Sequence, residues 1–123
     1  MPKPGATGLR RIVDAAGYSM KGFRAAWRNE SAFRQEATLA ALLVPCAFLL
    51  GRTAAETGLL LATLGVVLIA ELLNSAIEAV VDRTGEQFDV LAGRAKDMGS
   101  AAVFVALVLV PVVWGCVAWD RFA

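Results

Sequence analysis

Histidine is absent from this 123-residue sequence, and charged residues make up only 19% of it. The missing histidines exclude the most common general base and metal ligand near neutral pH. Acid–base or metal chemistry must therefore fall to carboxylates, Lys, Tyr or Cys. The two cysteines, Cys46 and Cys116, lie in apolar stretches and are too few for a disulfide framework. The glycine-rich patterns G-x-x-x-x-G-K-[ST] and G-x-G-x-x-G are missing too, which excludes the standard phosphate-binding loops of soluble enzymes.

The residues that are present point to a lipid solvent. Hydrophobic residues form 58% of the chain, whereas a soluble domain has about 45–50% apolar and about 25% charged residues. Three apolar stretches predict transmembrane helices at about 31–51, 56–81 and 98–119, because a helix of about 20 apolar residues crosses a bilayer. We therefore predict an all-α membrane protein that forms one domain over residues 1–123.

The segment before the first span has a different pattern. Its apolar side chains recur mostly at spacings of three and four, with the basic residues mostly off that stripe, and they are Leu9, Ile12, Val13, Ala16, Met20, Phe23 and Trp27. The pattern predicts an amphipathic helix over about 9–28 that lies on the membrane surface. A soluble helix that packs on a partner is the alternative. Because most Lys and Arg precede the first span, we expect a cytoplasmic N-terminus.

Polar side chains share one face of the second predicted span. Within an arc of about 100° lie Glu71, Asn74, Ser75, Glu78 and Asp82. A charge at the bilayer centre costs at least about 2.5–3.5 kcal/mol on insertion scales. Two glutamates on this face therefore need a cation, a proton or a partner, whereas Asn74 and Ser75 are also explained by hydrogen bonding between helices.

More charges lie where the first and third spans begin. These residues are Glu30, Arg34, Gln35, Glu36, Arg94, Lys96, Asp97 and Ser100. Carboxylates suit Mg²⁺, and Lys and Arg suit phosphate. Together they provide what phosphoryl transfer requires, since its catalysis consists mostly of positioning and charge neutralisation. A proton-coupled small membrane transporter also fits these residues, because an intramembrane glutamate is the usual proton relay.

Three blocks resemble the bacterial integral-membrane diacylglycerol kinase family. They are residues 15–36 (AAGYSMKGFRAAWRNESAFRQE), 71–83 (ELLNSAIEAVVDR) and 93–103 (GRAKDMGSAAV). The likeness runs from about residue 9 to the end and is closest to the Gram-negative branch. It implies a homotrimer of the bacterial inner membrane, with active sites shared between protomers, that moves the γ-phosphate of ATP to diacylglycerol with Mg²⁺. A related branch that phosphorylates undecaprenol shares much of the second block and is the alternative.

The resemblance also implies individual roles. Glu71 is expected to be the general base on the lipid hydroxyl, and Asn74 is expected to orient the reacting groups. Glu30 and Glu78 are expected to hold Mg²⁺. The expected nucleotide contacts are Arg11, Tyr18, Glu30, Glu78, Gln87, Asp89, Lys96 and Asp97. The expected lipid contacts are Arg11, Ala15, Ser19, Arg24, Trp27, Ala32, Gln35, Glu36, Glu71, Ser100 and Trp114.

Ordinary structural roles remain open for several of these residues. Trp27 and Trp114 also suit membrane-interface anchors, and Ser100 also suits close helix approach. Asp97 also suits a cap at the start of the third span. As partners we expect ATP, diacylglycerol, membrane lipids and further copies of this chain, and no nucleic acid.

Overall fold

Four helices account for nearly all of the part of the chain described by the computed structural model, residues 7–83 and 89–123. They are α1 (Gly8–Asn29), α2 (Ser31–Leu50), α3 (Ala54–Asp82) and α4 (Val90–Phe122). The last three have 20, 29 and 33 residues and are long and apolar enough to cross a membrane. The prediction of an all-helical chain with three spans is confirmed, and the protein is a multi-pass membrane protein.

Capping residues set where α3 and α4 begin. The Thr53 hydroxyl accepts a hydrogen bond from the Glu56 backbone N–H at 3.1 Å, so α3 starts before the predicted residue 56. The Asp89 carboxylate accepts from the Leu91 N–H at 2.8 Å, so α4 starts well before residue 98. Hydropathy marks where a helix enters lipid, whereas a cap marks where the helix begins. Asp97 consequently lies inside α4, and Asp89 caps it.

The three spanning helices define two ends of the molecule. At the acidic end, α2 begins, α3 finishes at Asp82 and α4 begins. At the arginine end, α2 finishes at Leu50, α3 begins and α4 finishes at Phe122. The most extensive packing joins α3 to α4, and α2 packs mainly on α3. Near the arginine end these helices bury Ala47, Leu60 and Val117 in a common core.

Two arginines join the helices at the arginine end. The Arg52 guanidinium pairs with Glu56 at 3.3 Å and with Asp120 at 2.5 Å, which joins the α2–α3 turn to the end of α4. The hydrogen bond that the Arg52 guanidinium donates to Glu56 holds the pKa of Arg52 above its ordinary value. Arg121 donates to the carbonyl oxygens of Leu49 and Leu50 at 2.5 and 2.8 Å. Carbonyls left over at the end of α2 are thereby satisfied.

A sharp bend at Glu30 separates α1 from α2. Glu30 has extended backbone angles, φ −121° and ψ 105°, between the two helices. From the first turn of α2, the Arg34 guanidinium reaches back and donates to the carbonyl oxygens of Trp27 and Arg28 at 2.7 and 3.3 Å. Arg34 therefore caps the C-terminus of α1 and joins it to the first turn of α2 across the bend at Glu30.

Candidate active site

Carboxylates gather around Glu71 on α3. The Glu71 side chain is buried, with 5% of its surface exposed. The negative charges of Glu36, Glu78 and Glu30 lie near enough to act on it electrostatically. We call Glu30, Glu36, Glu71 and Glu78 the acidic cluster. Residues from the α1–α2 bend, from α2 and from α3 therefore meet as the sequence predicted for one membrane level.

Asn74 connects the acidic cluster to α4. Its side-chain Nδ2 donates to Oε1 of Glu78 at 2.8 Å, one turn further along α3. Its Oδ1 is buried and has no hydrogen-bond partner among residues 7–83 and 89–123. Opposite this oxygen lies Gly99 of α4, which is buried; a Cβ atom added there would collide with Oδ1. The two helices approach so closely here because Gly99 has no side chain.

One lysine lies at the margin of the acidic cluster. Lys96 of α4 donates to Oδ1 of Asp82 at 2.9 Å, and both side chains are partly exposed. Its ammonium also lies near enough to Glu78 for an electrostatic interaction. The predicted nucleotide contact Lys96 is therefore placed beside the predicted metal ligand Glu78, where a positive charge favours a bound phosphate.

Two open clefts adjoin the acidic cluster. A cleft of about 580 Å³ between α1 and α3 is lined by Glu30, Ser19 and Ser75 together with small and apolar side chains. A shallower groove of about 530 Å³ is lined by Trp27, Gln35 and Glu36 beside Arg34, Thr38 and Leu39. Several of the predicted lipid contacts thus line two neighbouring openings rather than one.

Most of the other predicted site residues are exposed in the single chain. Arg11, Ala15, Tyr18 and Arg24 lie on the exposed surface of α1, and Ala32, Asp97 and Ser100 are exposed on α2 and α4. Asp89 caps α4, and Gln87 lies outside the described residues. Trp114 lies toward the arginine end, where its indole N–H donates to the buried hydroxyl of Thr63 at 3.0 Å.

The carboxylates of this site are the groups that could hold a divalent cation. In the described part of the chain, no group of three or more His, Cys, Asp or Glu residues could hold a metal ion. Mg²⁺, however, usually takes only one or two carboxylates and completes its shell with phosphate oxygens and water. The carboxylates of Glu30 and Glu78 are therefore chemically suited to Mg²⁺ on a nucleotide.

Two residues that shape this site had no role in the sequence analysis. Arg34 was seen only as one charge among several, although an arginine shortly after a helix break is a candidate for capping the preceding helix. Gly99 gave no signal of its own, because a glycine near the start of an apolar span has many ordinary explanations. Both roles depend on contacts between different helices.

The fold and this site define a small multi-pass membrane protein whose spanning helices carry a buried acidic site at one end. A model of the family described as prokaryotic diacylglycerol kinase matches residues 17–118. The chain is 52% identical over 116 residues to the diacylglycerol kinase of Escherichia coli (strain K12), covering 94% of this chain and 95% of that protein. Identity is also 52% over 116 residues to the diacylglycerol kinase of Pseudomonas aeruginosa, with 94% of each chain covered. It is 49% over 109 residues to that of Haemophilus influenzae, covering 89% and 92%.

The chain belongs to the prokaryotic diacylglycerol kinase family. The resemblance inferred from the three sequence blocks is confirmed, as is its placement near the Gram-negative members. The prediction of an ATP-dependent diacylglycerol kinase is confirmed by the same matches.

Proposed function

We propose that this chain transfers the γ-phosphate of ATP to the primary hydroxyl of diacylglycerol, giving phosphatidic acid, at the cytoplasmic face of the bacterial inner membrane. The observation that carries the proposal is the buried carboxylate of Glu71 among three other carboxylates, next to the Asn74–Glu78 hydrogen bond. The family and its named members support the reaction, and the acidic end supplies the groups that it needs.

Glu71 acts as the general base in this proposal. It takes the proton from the lipid hydroxyl as the oxygen attacks the γ-phosphorus in line, and ADP leaves. Asn74 orients the reacting groups through its side-chain amide. Positioned proton transfer contributes about 10²–10⁴-fold to such reactions. The remaining acceleration comes from holding the two substrates in line and from neutralising phosphate charge.

Glu30 and Glu78 are proposed to hold Mg²⁺ on the ATP phosphates. When bound, the metal supplies positive charge that neutralises the triphosphate. The side-chain N–H of Asn74 donates to Oε1 of Glu78, and this hydrogen bond would orient the carboxylate for a metal ion. Lys96 contributes a second positive charge nearby. Arg11, Tyr18, Gln87, Asp89 and Asp97 remain proposed nucleotide contacts.

The lipid is proposed to reach Glu71 laterally through the bilayer. Trp27, Gln35 and Glu36 line a groove that opens beside the acidic cluster, which suits an alcohol headgroup that arrives from the lipid. Trp114 lies toward the arginine end, so its proposed contact with the lipid requires a longer surface along the helices. An acyl chain bound along the helices would provide that extent.

We propose a homotrimer with active sites shared between protomers. Large apolar side chains such as Leu42, Phe48 and Phe104 are more than 60% exposed on the spanning helices. Three helices alone leave the acidic cluster beside open clefts, whereas polar groups at membrane depth need protein or a water-filled cavity around them. A neighbouring protomer would close one cleft and complete the site.

We propose that α1 lies on the cytoplasmic membrane surface. Leu9, Ile12 and Val13 on its apolar side are 60–76% exposed in the single chain. The interface between headgroups and acyl chains would cover them, with the basic residues of α1 near lipid phosphates. This placement also puts the acidic end on the side where ATP is available.

The test of the proposed function is lipid-dependent ATP turnover by the purified protein in mixed micelles. ADP release should require both diacylglycerol and Mg²⁺, and phosphatidic acid should accumulate in equal amount. Undecaprenol in a parallel reaction should support much slower turnover. Faster turnover with undecaprenol would assign the chain to the other substrate class. Solute flux into liposomes that follows a proton gradient without ATP would instead identify a transporter.

A further inference from the structure

We infer that Gly99 is a positioning residue for the reaction. Because it has no side chain, it leaves room for Oδ1 of Asn74, and the amide can then donate its N–H to Glu78. The inference rests on the proposed function, because Asn74 and Glu78 take their roles from it. Gly99 is buried where α4 crosses α3. Its nearest neighbours in the direction of an added Cβ are Oδ1 and Cγ of Asn74, followed by Cδ1 of Ile77 at 3.6 Å.

The chemistry of the Asn74 amide explains why its orientation matters. An amide offers N–H donors on one side and a carbonyl oxygen on the other. Only the nitrogen can donate to the Glu78 carboxylate, which it does at 2.8 Å. The carbonyl oxygen must then point away from Glu78, and the structure directs it toward Gly99. The empty space at Gly99 therefore sets which way the amide faces.

A methyl group at position 99 would occupy the place of this oxygen. Asn74 would have to rotate or move away, and its hydrogen bond to Glu78 would break. Groups that hold a metal ligand through a hydrogen bond orient it, and losing them typically lowers metal affinity or activity about 10–100-fold. Gly99→Ala should therefore weaken Mg²⁺–ATP binding although neither glycine nor alanine has a side-chain group that binds a metal or a phosphate.

The same helix offers a matched control. Gly115 of α4 has no atom within 4 Å of an added Cβ. Gly115→Ala raises helix propensity as Gly99→Ala does, and it changes nothing near Asn74. Both variants are purified as the full chain in the same micelles. Their Kd for Mg²⁺–ATP, their kcat and KM for diacylglycerol, and their thermal unfolding without ligands are then compared.

We expect Gly99→Ala to raise the Kd for Mg²⁺–ATP and to lower kcat, each about 10–100-fold relative to Gly115→Ala. The KM for diacylglycerol should change less than threefold. In an Asn74→Ala background, Gly99→Ala should add less than a twofold effect, because the two changes disturb one unit. Equal binding constants for the folded Gly99→Ala and Gly115→Ala chains would overturn the inference, since a purely structural role lowers only the amount of folded protein.

A second pair of variants covers the case in which Gly99→Ala does not fold. Asn74→Ser shortens the opposing side chain and makes room for the methyl group. The double variant should then fold and bind Mg²⁺–ATP as Asn74→Ser does alone; failure to fold would also overturn the inference. Asn74→Ala and Glu78→Gln separate this inference from the proposed function. If both bind Mg²⁺–ATP like the parent chain, the proposed site itself is wrong.

Discussion

The arginine end and the acidic end of the same helices differ in how their buried and charged groups are paired. At the arginine end, each charged group has a partner of the opposite kind: Arg52 bonds Glu56 and Asp120, and Arg121 bonds two helix-terminal carbonyls. At the acidic end, carboxylates surround Glu71, and the amide oxygen of Asn74 has no partner in the described part of the chain.

This difference separates stability from function. Paired charges and capped carbonyls close the arginine end and join α2, α3 and α4 around a small apolar core. Groups left without partners in a buried place carry a free-energy cost, so they persist where a ligand or a reaction uses them. The comparison predicts that changes in the acidic cluster alter chemistry, whereas changes to the ion pairs of Arg52 at the arginine end alter only unfolding.

Removing the negative charge of Glu71 should have the largest effect. Glu71→Gln should lower kcat by about 10²–10⁴-fold, because the amide cannot take the proton of the lipid hydroxyl. Assembly and Mg²⁺–ATP binding should stay close to those of the parent chain. The measurements are lipid-dependent ADP release and equilibrium nucleotide binding.

The control for this change is Glu56→Gln at the arginine end. It removes a carboxylate from the same helix, outside the acidic cluster. Turnover by Glu56→Gln should remain within a factor of two of the parent chain. Near-full activity of Glu71→Gln would reject Glu71 as the base and would remove the chemical contrast between the two ends.

Glu78→Gln should have the next largest effect, and on a different constant. Loss of the carboxylate removes a proposed Mg²⁺ ligand, so the Kd for Mg²⁺–ATP should rise along with the fall in kcat. An isothermal titration with Mg²⁺ and a non-hydrolysable ATP analogue measures this directly. Unchanged binding of the metal–nucleotide complex would show that Glu78 is not a Mg²⁺ ligand and would contradict the proposed pairing of Glu30 with Glu78.

The sequence predicted the acidic end much better than the arginine end. The polar face of α3 was visible because charged residues in an apolar helix stand out, and the three spans followed from hydropathy. Hydropathy did not indicate the start of α4, because residues 90–97 precede the uncharged stretch. The Asp89 cap marks where the helix begins. Helix boundaries depend on such local caps.

The arginine end was not predicted at all. The bond from Arg52 to Asp120 joins positions far apart in the chain, so no spacing in the sequence indicates it. The Gly99–Asn74 contact was invisible for the same reason. A one-dimensional pattern reveals the face of a helix, whereas the residue opposite that face depends on how two helices cross.

Thr63→Val tests the core that lies below the arginine end. The change removes the hydroxyl that accepts the Trp114 indole N–H at 3.0 Å and leaves this donor unpaired between α3 and α4. Hydrogen bonds between membrane helices contribute about 0.6 kcal/mol on average and about 1.7 kcal/mol at most. The free energy of unfolding in denaturing mixed micelles should therefore fall by about 0.6–1.7 kcal/mol.

Thr38→Val provides the control for the unfolding measurement. The exposed Thr38 hydroxyl donates to the Arg34 carbonyl of its own helix, so its loss should leave the free energy of unfolding almost unchanged. If Thr38→Val lowered the free energy of unfolding as much as Thr63→Val does, the loss in Thr63→Val could not be assigned to the Thr63–Trp114 hydrogen bond between α3 and α4. Any change in the KM for diacylglycerol that appears only with Thr63→Val would support Trp114 as a lipid contact.

Arg52→Gln should have the smallest effect and should affect stability alone. Arg52 and Asp120 are largely exposed, so water and salt screen their attraction. The midpoint of thermal unfolding should fall by a few degrees at low ionic strength, and the difference from the parent chain should shrink in high salt.

The control is Arg10→Gln, on the exposed surface of α1 and outside this network, which should cause no comparable salt-dependent shift. Turnover per folded chain should be unchanged by Arg52→Gln. A loss of turnover at constant folded fraction would show that the arginine end communicates with Glu71 and that the two ends are not independent.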